Sequence, residues 1–116
     1  MNLGKTGESI AKEYFETQGY EIVAENYRYE RAETDIIVEN EKKKLLLFVE
    51  VKTRRNRKFG EPEESVTEKK VQQMIKSAQG FLVLNPVYDD YEKRFDIVTI
   101  MIEGGKAKLN HLENVI

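Results

Sequence analysis

Four ionisable residues have types and spacing that could do chemistry: Glu8, Asp35, Glu50 and Lys52. Glu50 and Lys52 close a segment, Leu45 to Thr53, whose apolar residues alternate as in a strand, so the two-residue period puts both on the face of Leu46 and Phe48. Asp35 heads a second short run, Asp35-Ile-Ile-Val38. If the two runs form a hairpin through a turn centred between 42 and 43, position 35 falls opposite position 50. Carboxylates facing each other on a sheet repel, and a cation between them removes the repulsion. Oxygen donors from Asp35, Glu50 and the carbonyl of Val51 suit a hard octahedral ion, Mg²⁺ or Mn²⁺ with waters, better than Ca²⁺, which takes more ligands. An ammonium at Lys52 points into the same site, where it can pair with the carboxylates, orient a water or neutralise a phosphate in the transition state. Metal-bound water is acidic enough to supply hydroxide at neutral pH, so the implied reaction is phosphodiester hydrolysis.

The elements that must position these residues follow from periodicity. Ile10, Ala11, Tyr14 and Phe15 form one stripe at helical spacing, predicting a helix over about 3–18 that ends near Gly19. Residues 20–29 are rich in aromatic and β-branched side chains and read as a strand, followed by strands at 35–38 and 45–53. The last of these is apolar on both faces, Leu46 and Phe48 on one, Leu45, Leu47, Val49 and Val51 on the other; such a strand belongs in the middle of a covered sheet. Gly60-Glu-Pro62 marks a loop. Val66, Val71, Met74, Ile75, Ala78, Phe81 and Leu82 then repeat at helical spacing, with Thr67 placed to cap the helix. Asn85-Pro86 stops it, and the stretch to Asp90 reads as exposed loop. Strands at 95–103 and 106–112 flank the hairpin signal Gly104-Gly105. The expected fold is an α/β sandwich with a mixed five-stranded sheet, in the order α-β-β-β-α-β-β.

Length and composition bound the alternatives. With 116 residues the chain has room for one domain, 1–116, and 40% apolar with 34% charged residues is a globular composition, not a disordered one. The absence of cysteine excludes disulfides and thiolate zinc sites, and a single histidine, His111, leaves a Ser-His-Asp triad one candidate base. The longest apolar run, Leu45 to Val49, is too short to span a bilayer, so the sequence predicts a cytoplasmic protein without a membrane partner.

Net charge is −2, yet Lys52, Arg54, Arg55, Arg57 and Lys58 place five cations in seven positions with no anion. The rest of the chain holds fourteen cations against 21 anions, a net of −7. This asymmetry directs a polyanion to one place, and the cations adjoin the candidate site in sequence. No recognition helix carries paired Arg and Asn or Gln, so the expected readout is of phosphates or shape. Each feature has a plainer reading beside the functional one: Glu50 and Lys52 as a surface ion pair, Glu8 with Lys12 as an exposed helical pair, and Arg54 to Lys58 as a solvated loop. Glu33 and Asp96 read as further ligands or solvated carboxylates, Lys70 as a helix-surface residue, His111 as a surface or hairpin residue, and Tyr27 and Tyr29 as packing residues before base-stacking ones.

The set Glu8, Asp35, Glu50-Val-Lys52 resembles the restriction-endonuclease-like nuclease superfamily, whose signature is Asp, a gap, then Asp or Glu, any residue, and Lys. More narrowly, the chain resembles the YraN-like family of small bacterial predicted nucleases, related to archaeal Holliday-junction resolvases. The resemblance runs through Gly7-Glu8, Asn26-Tyr-Arg28, Glu33-Thr-Asp35-Ile-Ile37, Phe48-Val-Glu-Val-Lys-Thr-Arg54, Gly60, Lys70 and Arg94-Phe-Asp96 to His111. It implies Asp35 and Glu50 as metal ligands, Lys52 as catalytic lysine, Glu8 as an auxiliary acid, and Arg28, Arg54 and Lys70 as phosphate contacts. Ala32 stands where the family usually has Gly, and Thr34 where it has an aliphatic residue. Resolvases of similar fold pair to cut two strands, which implies a homodimer.

The leading expectation is therefore a Mg²⁺-dependent DNA endonuclease acting on branched or repair-related DNA. Two other classes stand beside it: a nucleic-acid-binding module of nuclease-like fold without turnover, and a protein-interaction adaptor using the acidic body.

Overall fold

The apolar stripe of Ile10, Ala11, Tyr14 and Phe15 forms the inner face of helix α1, Leu3–Thr17, in the computed structural model, which describes residues 3–55 and 67–116. Gly19 closes the helix at φ +94°, a left-handed conformation glycine adopts without a Cβ penalty, and Tyr20 N–H donates to the Phe15 carbonyl at 2.9 Å. Three strands follow, β1 (Glu21–Tyr29), β2 (Ala32–Asn40) and β3 (Leu45–Arg54), then helix α2 (Glu68–Leu84), β4 (Glu92–Glu103) and β5 (Lys106–Leu112). Thr67 caps α2 as expected, accepting the Lys70 N–H at 3.2 Å.

The strands form one mixed sheet in the order β1-β2-β3-β4-β5, antiparallel except for the parallel pair β3–β4. A parallel pair needs a crossover, and α2 lies within it. This is the α-β-β-β-α-β-β sandwich the periodicities predict. The two-faced strand is central: Leu45, Leu47 and Val49 pack with Ala11 and Phe15 of α1, while Leu46 and Phe48 pack with Ala78 and Phe81 of α2. Tyr27 meets Phe81 edge-on at 5.3 Å, and Tyr29 lies against Gly80, so both tyrosines are packing residues. Gly104 and Gly105, at φ +55° and +76°, turn the β4–β5 hairpin.

The structure departs from the sequence reading at three boundaries. Strand β2 begins at Ala32, because Glu30-Arg31 closes a tight β1–β2 hairpin with Glu30 at φ +55° and no glycine to announce it. Strand β4 begins at Glu92, whose N–H bonds the Lys44 carbonyl at 2.8 Å. Beyond α2, the exposed loop expected to reach Asp90 holds a 3-10 turn at Pro86–Tyr88. Arg57, Lys58, the Gly60-Glu-Pro62 loop and Val66 lie outside the described residues. Among the described residues no helix is long and apolar enough to cross a membrane.

Candidate functional site

The β2–β3 ladder runs from Asn40 opposite Leu45 to Ile36 opposite Val49, the register counted from the turn; one further step sets Asp35 beside Glu50. There the ladder gives way to a side chain: Asp35 Oδ2 accepts the Val51 N–H at 2.8 Å. A strand residue's N–H and C=O point the same way, so the Val51 carbonyl also faces the Asp35 side.

The sheet has a defect at this level. Ala24 and Tyr27 are three residues apart, as are Thr34 and Ile37, yet all four face α2, Thr34 through its hydroxyl bond to Ser77. Alternation therefore loses phase where Asn26, at φ +48°, stands opposite Asp35. The defect lets the Asn26 side chain hydrogen-bond Glu8 of α1, so that helix contributes a carboxyl at the margin of the site. Burial pushes the Glu8 carboxyl up, with Glu33 and Glu25 adding to the effect, against the lowering bond from Asn26.

Glu50 is buried on the α2 face, its side chain 5% exposed. Its Oε1 takes two ammonium groups, Lys70 Nζ at 3.0 Å and Lys52 Nζ at 3.4 Å, while its Oε2 is buried without a hydrogen-bond partner. Burial, then the neighbouring Glu50 charge, pushes Asp35 up to about 7, despite the Val51 N–H pulling it down. An orphaned buried carboxylate oxygen, a second carboxyl held short of full ionisation and a carbonyl on the same side form an all-oxygen donor set that fits Mg²⁺ or Mn²⁺. Among the described residues no three His, Asp or Glu side chains cluster as a metal site, so an ion here rests on two carboxylates, the carbonyl and water.

The other expected residues are distributed as follows. Lys70 reaches in from the first turn of α2 and engages Glu50 directly, a contact the sequence did not signal because it depends on how α2 packs. Arg54 extends β3 past the site and donates to the Thr53 carbonyl, and Arg55 is exposed just beyond. Arg28 pairs with Glu33 across the β1–β2 hairpin at 3.2 Å, so neither is free at the acid pair. Lys12 pairs with Glu25, not with Glu8.

Asp96 and His111 belong to the opposite face. Asp96 is fully buried and accepts from Arg94, His111 Nε2 at 2.6 Å and the Asn114 N–H at 3.0 Å; His111 Nδ1 shares a 2.8 Å bond with the Tyr14 hydroxyl. Asp96 is thus unsolvated, its oxygens taken by protein donors, and His111 is the hairpin residue of the two alternatives, on β5 with 12% of its side chain exposed. The nearest sequence signal was the two-residue spacing of Arg94 and Asp96.

Comparison with known proteins sets this site in a family. A protein of Syntrophomonas wolfei is 40% identical over 112 residues, covering 97% of this chain and 95% of the relative. One of Caldicellulosiruptor bescii is 43% identical over 107 residues, covering 90% and 88%, and one of Pelobacter propionicus is 40% identical over 114 residues, covering 97% and 81%. All three carry the name UPF0102 protein. The model of the same group, described as uncharacterised protein family UPF0102, matches residues 7–100, a span holding Glu8, Asp35, Glu50, Lys52 and Lys70. On both grounds the chain belongs to the UPF0102 family.

Proposed function

We propose that this protein is a cytoplasmic, Mg²⁺-dependent nuclease of the YraN-like kind, hydrolysing phosphodiester bonds in DNA and acting foremost on branched or repair intermediates. The observation that carries the reading is Glu50, buried beside Asp35 with one oxygen unpartnered and the other held by two lysines. Asp35, Glu50 and the Val51 carbonyl would hold the ion, which when bound supplies an acidified water and a polarised phosphoryl oxygen. Lys52, on the same face as Glu50, would face a phosphate oxygen or orient the attacking water. Glu8, held by Asn26, serves as the auxiliary acid. Arg54, Arg55, Arg57 and Lys58 attract the backbone without reading bases, Lys70 flanks it, and Arg28 would join them by exchanging Glu33 for a phosphate. A homodimer would present two such sites to two strands.

The test is a cleavage panel of single-stranded, duplex, flapped and four-way DNA with Mg²⁺ or Mn²⁺. Nicking that EDTA abolishes, and that falls by about a hundredfold or more in Lys52→Ala and Glu50→Gln, is the expected result. Equal cleavage by wild type and both variants would sink the assignment. A second reading, nucleic-acid binding without turnover, draws on one specific contact: the two lysines on Glu50 already neutralise it. Salt-dependent DNA binding, indifferent to divalent ions and without cleavage of any substrate, would select that reading.

A further inference from the structure

Strand register carries the face of Glu50 sideways across the sheet. Arg54 of β3 is level with Met101 of β4, which is level with Lys108 of β5; Glu103 is level with Lys106 at the hairpin end. Residues in register on neighbouring strands project to the same side, so Lys106 and Lys108 emerge from the face that bears Glu50, Lys52 and Arg54. Met101, Glu103, Lys106, Ala107 and Lys108 line a hollow of about 620 Å³ at this end of the hairpin. Both lysines are exposed, and among the described residues neither has an ion-pair partner. Glu103 is the one anion lining the hollow.

Lysines on an edge strand often serve to discourage edge-to-edge pairing, a role either face would satisfy. Here the alternation is strict: Ala107, Leu109 and His111 occupy the intervening positions, and the cations hold the site's own face. With strands about 4.8 Å apart and roughly 3.3 Å per residue, Lys52 to Lys106, two strands across and four residues along, spans roughly 16 Å, the rise of about five nucleotides of one strand.

We propose that the β4–β5 hairpin is a phosphate-binding arm, in which Lys106 and Lys108 grip the backbone of the nucleic acid on one side of the scissile position. This rests on the nuclease reading, and its ligand is the phosphodiester backbone, taken without regard to base sequence. The arm extends the cationic tract from β3 across two strands, and it sets how much backbone must flank the site for tight binding.

The experiment measures binding of labelled 30-base-pair duplex and four-way-junction DNA in EDTA across 50–300 mM KCl. It compares wild type, Lys106→Gln/Lys108→Gln, and Lys42→Gln/Lys43→Gln, which removes the same charge at the exposed β2–β3 turn. The hairpin pair should weaken binding about tenfold at 150 mM KCl and shrink the slope of log K against log salt by about 1 to 2, while the turn pair leaves the slope unchanged. Lys106→Arg/Lys108→Arg should keep wild-type affinity, which separates charge from folding. A wild-type slope in the hairpin pair, or an equal loss in the turn pair, overturns the arm and leaves the nuclease reading standing. Failure of the wild type itself to bind or cut DNA overturns that reading and the arm with it.

Discussion

Asp35 and Glu50 stand side by side but meet different partners. Glu50 has two ammonium groups on one oxygen, whereas Asp35 has one backbone N–H and, facing it, the Glu50 charge. Since the Asp35 carboxyl rises from 3.8 to about 7, the folded chain keeps a proton the unfolded chain has lost. The associated stability is full below pH 4 and disappears as pH climbs through 7. Asp35→Asn mimics the neutral acid and preserves an acceptor for Val51. In metal-free buffer it should be more stable than wild type at pH 8, by up to about 4 kcal/mol, with the gain vanishing toward pH 4. Mn²⁺ should raise the wild-type midpoint at pH 8 and leave the variant unmoved. A gain independent of pH would place the raised acid elsewhere.

Helix α1 carries Glu8 to the pocket because Gly7 lets it lie close on β3. A Cβ at Gly7 would sit 2.0 Å from Thr53 Oγ1 and 3.1 Å from its Cβ, and Thr53 is a β-branched residue with little room to turn. Gly7→Ala should therefore cost about 1–3 kcal/mol and lift the first turns of α1, lowering cleavage along with the melting midpoint. Thr53→Ala removes the worst contact, so the double variant should recover most of both losses; simple additivity of the two changes would show that the helix is seated by something else. Such seating was invisible in the sequence, which fixes faces but not approach distances. The Asp35–Glu50 opposition was legible because a two-residue period and a polar turn determine it. The contact of Lys70 with Glu50 depends on how α2 lies over the sheet, and the phase slip at Asn26 needs a left-handed residue that no glycine advertised. The Glu30-Arg31 hairpin escaped for the same reason.

Across the whole molecule, the candidate site and the ionic anchor stand at opposite ends of α1. Glu8 lies by the acid pair, while Tyr14 meets the buried cluster in which Asp96 ties β4 to β5 through His111 and to the C-terminal segment through Asn114. Burial alone would raise the Asp96 carboxyl, but the bonds from His111, Arg94 and the Asn114 N–H outweigh it and hold it below the usual range. Its contribution is therefore present above about pH 4 and lost as pH falls through the lowered value, opposite in sign to Asp35. The two together place the stability maximum of the metal-free protein on the acid side of neutrality. Asp96→Asn leaves Arg94 with only the exposed Glu113 carboxylate, at 3.4 Å, as counter-charge, which should cost up to about 3 kcal/mol and flatten the acid limb below pH 4 while leaving the neutral limb set by Asp35 in place. Urea melts of wild type, Asp35→Asn and Asp96→Asn from pH 3 to 8 resolve both limbs. Because the anchor is on the far face of the sheet, the proposed nuclease activity should persist in folded Asp96→Asn at low temperature at close to the wild-type rate; if cleavage seen in wild type is lost while the variant's circular dichroism is native, the two ends are coupled through α1 and not independent.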